Sequence, residues 1–136
     1  SKGIAVSGTL HGNPLSAAAG LTCLRKLKEI NPYDDLYAKG KTLRDAFQEV
    51  LDRHRLDIKV IGNQSWWQFF AGSREPTNYA DFLTSDMLKT KVLDTALNRE
   101  GVFVIPNTRR FVSAAHTDED IEESIIALDL ACRRIK

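Results

Sequence analysis

The sequence is low in cysteine, methionine and proline, and it has no large excess of charge of either sign. Its 136 residues include two cysteines, one methionine and four prolines, and 19 basic residues are balanced by 18 acidic ones. A net charge of +1 leaves no basic stripe, so nothing suggests that the protein binds nucleic acid or an anionic membrane surface. No apolar run approaches the ~20 residues that span a bilayer, and the first residues do not form a signal peptide. We therefore expect a soluble, cytoplasmic protein.

The cysteines and histidines are too scattered to predict a metal site or a disulfide. Cys23 and Cys132 lie on the apolar faces of predicted helices and in no C-x-x-C spacing, so we expect both to be reduced core residues. The three histidines lack the spacing of metal ligands. We interpret His116 as a structural residue beside a helix cap rather than as a general base.

Apolar periodicity predicts an α+β fold, in which helices cover a small antiparallel sheet. The helices are expected over residues 13–30, 32–54, 86–100 and 117–135. The strands are expected over residues 58–61, 65–71, 102–105 and 111–113, with a loop over 72–84. The chain, residues 1–136, is long enough to form a single domain with its own core.

A glycine-containing turn leads directly into the first helix. Gly8 and Gly12 permit backbone angles that a Cβ would forbid, Asn13 can cap the helix, and Pro14 fits its first position. A helix N-terminus carries unpaired N–H groups and a partial positive charge, so an anion could bind near this turn, with the Thr9 hydroxyl as a further donor. The alternative is a loop and helix cap that bind nothing.

The same turn resembles a segment of the class III pyridoxal-phosphate dependent aminotransferases. The resemblance is carried by Gly8-Thr9-Leu10-x-Gly12-Asn13-Pro14 and the alanine-rich helix that follows. Further stretches resemble the same family, and these are residues 62–70, 77–81 and 113–120. The resemblance covers nearly the whole chain and implies the C-terminal domain of a fold-type I pyridoxal-phosphate enzyme.

The resemblance implies roles for three residues. In the family, a Gly-Thr pair of one subunit contacts the cofactor phosphate held by the other subunit, so Gly8 and Thr9 are the expected cofactor contacts in a homodimer. Arg109 is the expected substrate-binding residue, because related enzymes often carry an arginine here that can hold a substrate carboxylate through paired hydrogen bonds. The alternative is that Arg109 and Arg110 both lie on an exposed turn.

The resemblance also implies that the catalytic groups lie outside this chain. The family's cofactor lysine and the acid at the pyridine nitrogen precede the Gly-Thr pair, and no lysine here has that context. We expect residues 1–31 to contact a missing cofactor domain, residues 32–136 to form the C-terminal small domain, and the isolated chain to be inactive. The whole enzyme would be an aminotransferase or aminomutase of a small amino or keto acid.

Two alternatives remain open at this point. The first is a related transaminase that acts on a β-amino acid or an acyl-chain aldehyde. The second is a non-catalytic module, derived from such an enzyme and used alone for dimerisation or binding.

Overall fold

The computed structural model describes residues 8, 10 and 12–135, which divide into two compact units between Pro32 and Tyr33. The helices of these residues are α1 (Pro14–Ile30), α2 (Tyr33–Arg53), α3 (Tyr79–Phe82), α4 (Met87–Arg99) and α5 (Asp118–Arg134). The strands are β1 (Ile58–Asn63), β2 (Trp66–Ala71) and β3 (Arg110–Phe111). The predicted α+β class is confirmed. Within the described residues, no helix is long and apolar enough to cross a lipid bilayer.

The three strands form one antiparallel sheet in the order β1-β2-β3. Asn63 pairs with Trp66, so β1 and β2 are joined by a tight turn of two residues, the first of which, Gln64, has a φ of 50°. Side chains alternate along β2, which places Trp67 and Phe69 in the core and Trp66 on the opposite face. Both faces of β2 therefore contact other parts of the chain.

The core of the second unit lies between the sheet and helices α2, α4 and α5. Phe47 of α2 is fully buried, and its ring meets the Trp67 ring edge-on, with 5.0 Å between the ring centroids. Helix α5 begins with a capping box, in which the Thr117 and Asp120 side chains each bond to the other's backbone N–H. These contacts position the sheet and the loop that precedes β3.

The predicted strand over residues 102–105 is wrong. The side-chain amide of Asn98 donates to the carbonyl of Val104 at 2.9 Å and accepts from its N–H at 2.6 Å, so it satisfies the groups that a neighbouring strand would pair. The last predicted strand is shorter than expected and shifted, since β3 comprises Arg110 and Phe111. Within the predicted loop 72–84, Asn78 caps the short helix α3.

Helix α1 belongs to the first unit and has the predicted N-terminus. Asn13 is its N-cap and Pro14 its first residue. No described residue of α1 is buried within this unit; Leu15, Leu21 and Leu24 are exposed, and Leu27 is half-buried. The prediction that Cys23 is a core residue is therefore wrong in this structure, whereas Cys132 on α5 is buried as expected.

Candidate functional site

A cleft of about 540 Å³ lies on the face of the sheet opposite the helical core. We call it the sheet cleft, and its lining residues are Ile61, Trp66, Gln68, Tyr79, Phe82, Asn107, Thr108 and Arg109. Strands β1 and β2 supply its floor, α3 supplies an aromatic wall, and the loop before β3 supplies its polar rim. Arg109 is the one charged residue among these eight. The cleft is thus apolar on two sides and cationic at one edge.

Asn107 fixes the loop that carries the polar rim. Its backbone is left-handed, with a φ of 60°, and its N–H donates to Asp94 Oδ2 at 2.8 Å. Its carbonyl accepts from Gln68 Nε2 at 3.2 Å. Its side chain accepts from Thr90 Oγ1 at 2.7 Å and donates to the carbonyl of Met87 at 3.1 Å. Every polar group of Asn107 is therefore bonded to β2 or to α4.

A buried ion pair lies behind this loop. Arg110 is 7% exposed, and its guanidinium pairs with Asp94, which is fully buried on α4. The guanidinium carbon lies 5.0 Å from the Trp67 ring centroid and 5.2 Å from that of Phe69. Burial raises the pKa of the Asp94 carboxyl, although Arg110 and the Asn107 N–H oppose that shift. Strand β3 is therefore anchored by charge as well as by its pairing with β2.

Arg109 is exposed, whereas Arg110 is buried. The alternative that both arginines lie on an exposed turn is therefore wrong for Arg110. Arg109 is exposed at the rim of the sheet cleft and has no hydrogen-bond or ion-pair partner among the described residues. Its neighbour Arg110, the first residue of β3, is buried in the core instead. The structure places Arg109 where it can reach a ligand, and its substrate-binding role remains a prediction.

The predicted cofactor contacts belong to the first unit. Gly8 is exposed, and Thr9 lies outside the described residues. Gly12, which closes the turn, has a φ of 79°, and none of the described residues lies within 4 Å of a Cβ added to it. A left-handed backbone of this kind is one that glycine adopts without strain, as the sequence suggested.

The first turn of α1 has fewer free donors than the sequence suggested. Asn13 Oδ1 accepts from the N–H of Leu15 at 2.9 Å and from that of Ser16 at 3.2 Å, and Pro14 has no N–H. An anion at this helix terminus would therefore compete with the Asn13 cap. Donors for a phosphate would have to come from the turn itself.

Neither His116 nor His54 lies in the sheet cleft. His116 Nδ1 accepts from the Ser113 N–H at 3.0 Å and contacts its Oγ at 2.8 Å, which fits the predicted structural role. His54 follows the end of α2, and its Nε2 lies 2.8 Å from Asp129 Oδ1 on α5. That histidine joins two helices of the core.

Sequence reasoning missed Asp94 and Asn107. The signal for Asp94 was present, because Thr90, Asp94 and Leu97 are spaced by four and three residues and share the buried face of α4. A carboxylate on such a face requires a buried partner. The role of Asn107 had no such signal, since its partners come from elements that are distant in the sequence.

Comparison with solved structures defines the class of fold. The chain matches an omega-transaminase from Sphaerobacter thermophilus with a TM-score of 0.83 at 26% identity, over 96% of this chain and 30% of that one. It matches the PLP internal aldimine form of the FumI protein of Sphingopyxis sp. MTA144 with a TM-score of 0.78 at 29% identity, over 97% of this chain and 30% of that one. The chain thus has the fold of a segment of the transaminases.

In sequence, the chain is similar to glutamate-1-semialdehyde 2,1-aminomutases. The enzyme of Methanopyrus kandleri is 33% identical over 131 residues, which are 95% of this chain and 30% of that enzyme. The chain therefore spans about a third of the length of the curated relatives it matches. No family model matches it. The resemblance to class III pyridoxal-phosphate aminotransferases, stated above from the motifs, is confirmed.

Proposed function

We propose that this chain is the C-terminal part of a pyridoxal-phosphate dependent enzyme that moves an amino group. One observation carries the proposal, namely the 33% identity to an aminomutase over 95% of the chain. The fold similarity to an omega-transaminase and to a protein with a PLP internal aldimine supports it. The finer proposal is the aminomutase reaction, an internal amino transfer that gives 5-aminolevulinate for tetrapyrrole synthesis, in a cytoplasmic homodimer.

The residues present fit the cofactor phosphate in one place and a substrate carboxylate in another. Gly8 is exposed, so its backbone is accessible to a phosphate held by a partner subunit, and the neighbouring Thr9 adds a hydroxyl. Arg109 has an unpaired guanidinium beside an apolar cleft, where it would bind and orient a substrate carboxylate. When bound, pyridoxal phosphate supplies an electron sink for the carbanion formed at the substrate.

The chain by itself would not transaminate. The Schiff base needs a lysine, and no lysine is among the described residues that line the sheet cleft. The lysines with ion-pair partners lie on helices: Lys26, Lys39, Lys41 and Lys89. We therefore propose that the Schiff-base lysine lies outside this chain, as the resemblance to the family implies.

A related transaminase is the second candidate. The observation that supports it is the fold similarity to an omega-transaminase, with a TM-score of 0.83 at 26% identity. The two candidates share the cofactor contacts and differ in the substrate.

The test uses the protein expressed from the complete coding sequence. A yellow absorbance that borohydride removes would demonstrate the Schiff base, and its absence would refute the enzyme proposal. Thr9→Val should then weaken retention of the cofactor during dialysis. Thr22→Val is the matched control, because among the described residues the Thr22 hydroxyl donates only to the carbonyl of Ala18 within α1. Equal retention by both variants would contradict the phosphate role of Thr9.

A further inference from the structure

We propose that the free backbone edge of residues 102–105 pairs with an extended segment of the same polypeptide that lies outside this chain. The segment adds a strand beside residues 102–105 and inserts an apolar side chain into the neighbouring pocket. This interaction surface belongs to the second unit and goes beyond the proposed function, because it does not concern the chemistry of the cofactor. It gives a partner to an apolar run that has the composition of a strand and lies outside the described sheet.

The backbone of residues 102–105 has one bonded side and one free side. The Asn98 side chain bonds both the N–H and the carbonyl of Val104. The N–H and carbonyl of Phe103 and the N–H of Ile105 have no hydrogen-bond partner among the described residues. In an extended chain these groups point to opposite sides at successive residues, so the free groups of Phe103 and Ile105 share the side away from Asn98. Free groups at alternate residues are the pattern of an edge strand.

The side chains of this segment divide in the same way. Val104 is 6% exposed and belongs to the core, whereas Phe103 is 87% exposed and Ile105 is 61% exposed. No residue of 102–105 is charged, although exposed edges are usually protected by lysine or another charged residue. Unprotected apolar surface of this kind marks an interaction site.

A pocket of about 240 Å³ adjoins this edge. Most of its lining residues are apolar, and they include Phe103, Ile105, Phe111 of β3 and Trp67 of β2. A segment that adds a strand to a free edge gains affinity from main-chain hydrogen bonds, and pockets for its alternate side chains give specificity. The pocket therefore takes one apolar side chain of the added strand.

The small size of the edge indicates a segment of the same polypeptide rather than a separate protein. Four residues span only about 13 Å in a strand. Stable interfaces between separate proteins bury about 1,200–2,000 Å², which so short an edge does not supply alone. A tethered segment needs less contact area, because its effective concentration reaches about the millimolar range. The chain matches 30% of the Methanopyrus kandleri enzyme, so a protein of that length has ample polypeptide to supply the strand.

Photochemical crosslinking of the protein expressed from the complete coding sequence tests the proposal. Phe103→p-benzoylphenylalanine places a photoreactive ring at the free edge. We expect a crosslinked product with the mass of one polypeptide, in which the ring is joined to a segment outside this chain. Leu88→p-benzoylphenylalanine, at a 70% exposed position on α4, is the control and should not label that segment. A product with the mass of two polypeptides, a crosslink confined to this chain, or no crosslink would overturn the proposal.

Amide hydrogen exchange of the same protein is a second test. The amides of Phe103 and Ile105 should exchange at least about tenfold more slowly than those of Arg74 and Glu75, which also have no acceptor among the described residues. Phe103→Lys should remove the protection of the Ile105 amide, because a charged side chain disfavours pairing at an edge. Equally fast exchange at Phe103, Ile105 and Arg74 would contradict the proposal. If the Schiff base forms in that preparation, the proposed function stands while this proposal fails.

Discussion

The buried carboxylate of Asp94 accepts a hydrogen bond from the backbone N–H of Asn107 and also pairs with Arg110. One side chain of α4 therefore holds both the left-handed turn before β3 and the first residue of that strand. Arg109 lies between these residues in the chain. The position of the predicted substrate contact is thus set by a carboxylate that never reaches the cleft.

Asp94→Asn should destabilise the protein strongly. The change keeps the shape of the side chain and removes the charge that compensates the buried Arg110 guanidinium, and loss of one partner of a buried pair costs about 3–5 kcal/mol. Urea denaturation monitored by tryptophan fluorescence measures the free energy of unfolding. Asp45→Asn is the control, since the pair of Asp45 with Lys41 is exposed and should contribute less than about 1 kcal/mol. If the two variants lose the same free energy of unfolding, the buried Arg110 guanidinium does not depend on the Asp94 charge for its stability.

The features that depend on a local pattern of residues could be predicted from the sequence. The caps at Asn13 and Thr117, the main helices and the alternation along β2 follow from residue types a few positions apart. The false strand at 102–105 shows the limit of this reasoning. An apolar run was correctly recognised, but Asn98, four residues before it, supplies the hydrogen bonds that were assigned to a neighbouring strand.

The site itself was less predictable. Arg109 and the aromatic residues of β2 could be selected from their types, but the sheet cleft needs α3, a short helix that its sequence marks only by the Asn78 cap. The buried pair of Asp94 and Arg110 joins residues 16 positions apart on different elements. Local patterns carry no information on such a contact.

Asn107→Ala should cost more stability than Asn107→Gly. Both variants lose the side-chain bonds to Thr90 and Met87, each worth about 0.5–1.5 kcal/mol. Alanine must in addition adopt a φ of 60°, which costs about 1–2 kcal/mol and which glycine adopts freely. The difference between their urea midpoints measures that backbone cost. If alanine proves as stable as glycine, the left-handed turn is not retained in the variant.

Gly40→Ala should be destabilising although alanine favours helices. A Cβ at Gly40 of α2 would collide with the backbone carbonyl of Gln64 in the β1–β2 turn, and overpacking of this kind costs about 1–3 kcal/mol. Gly20→Ala on α1 is the matched control, because among the described residues nothing lies within 4 Å of its added Cβ. For Gly20→Ala, we expect the free energy of unfolding to rise by up to about 1 kcal/mol, because alanine has a higher helix propensity than glycine. Thermal unfolding followed by circular dichroism distinguishes the two. A stable Gly40→Ala protein would mean that the turn moves away from α2 at little cost.

Acid should remove the contribution of Asp129 to the stability of the folded protein. His54 first, and then Arg133, lower the pKa of this carboxyl by bonding to its charged form. A carboxyl with a lowered pKa in the folded state binds fewer protons than in the unfolded state, so its contribution is complete above the ordinary value of about 3.9 and is lost as the pH falls through the lowered one. The urea midpoint of the wild-type protein should therefore be higher than that of Asp129→Asn, most clearly at about pH 5. The difference between the two midpoints should shrink as the pH falls towards ~2. Asp57→Asn, at an exposed position, should follow wild type throughout. A difference between wild type and Asp129→Asn that stays constant with pH would exclude the charge of Asp129 as its origin.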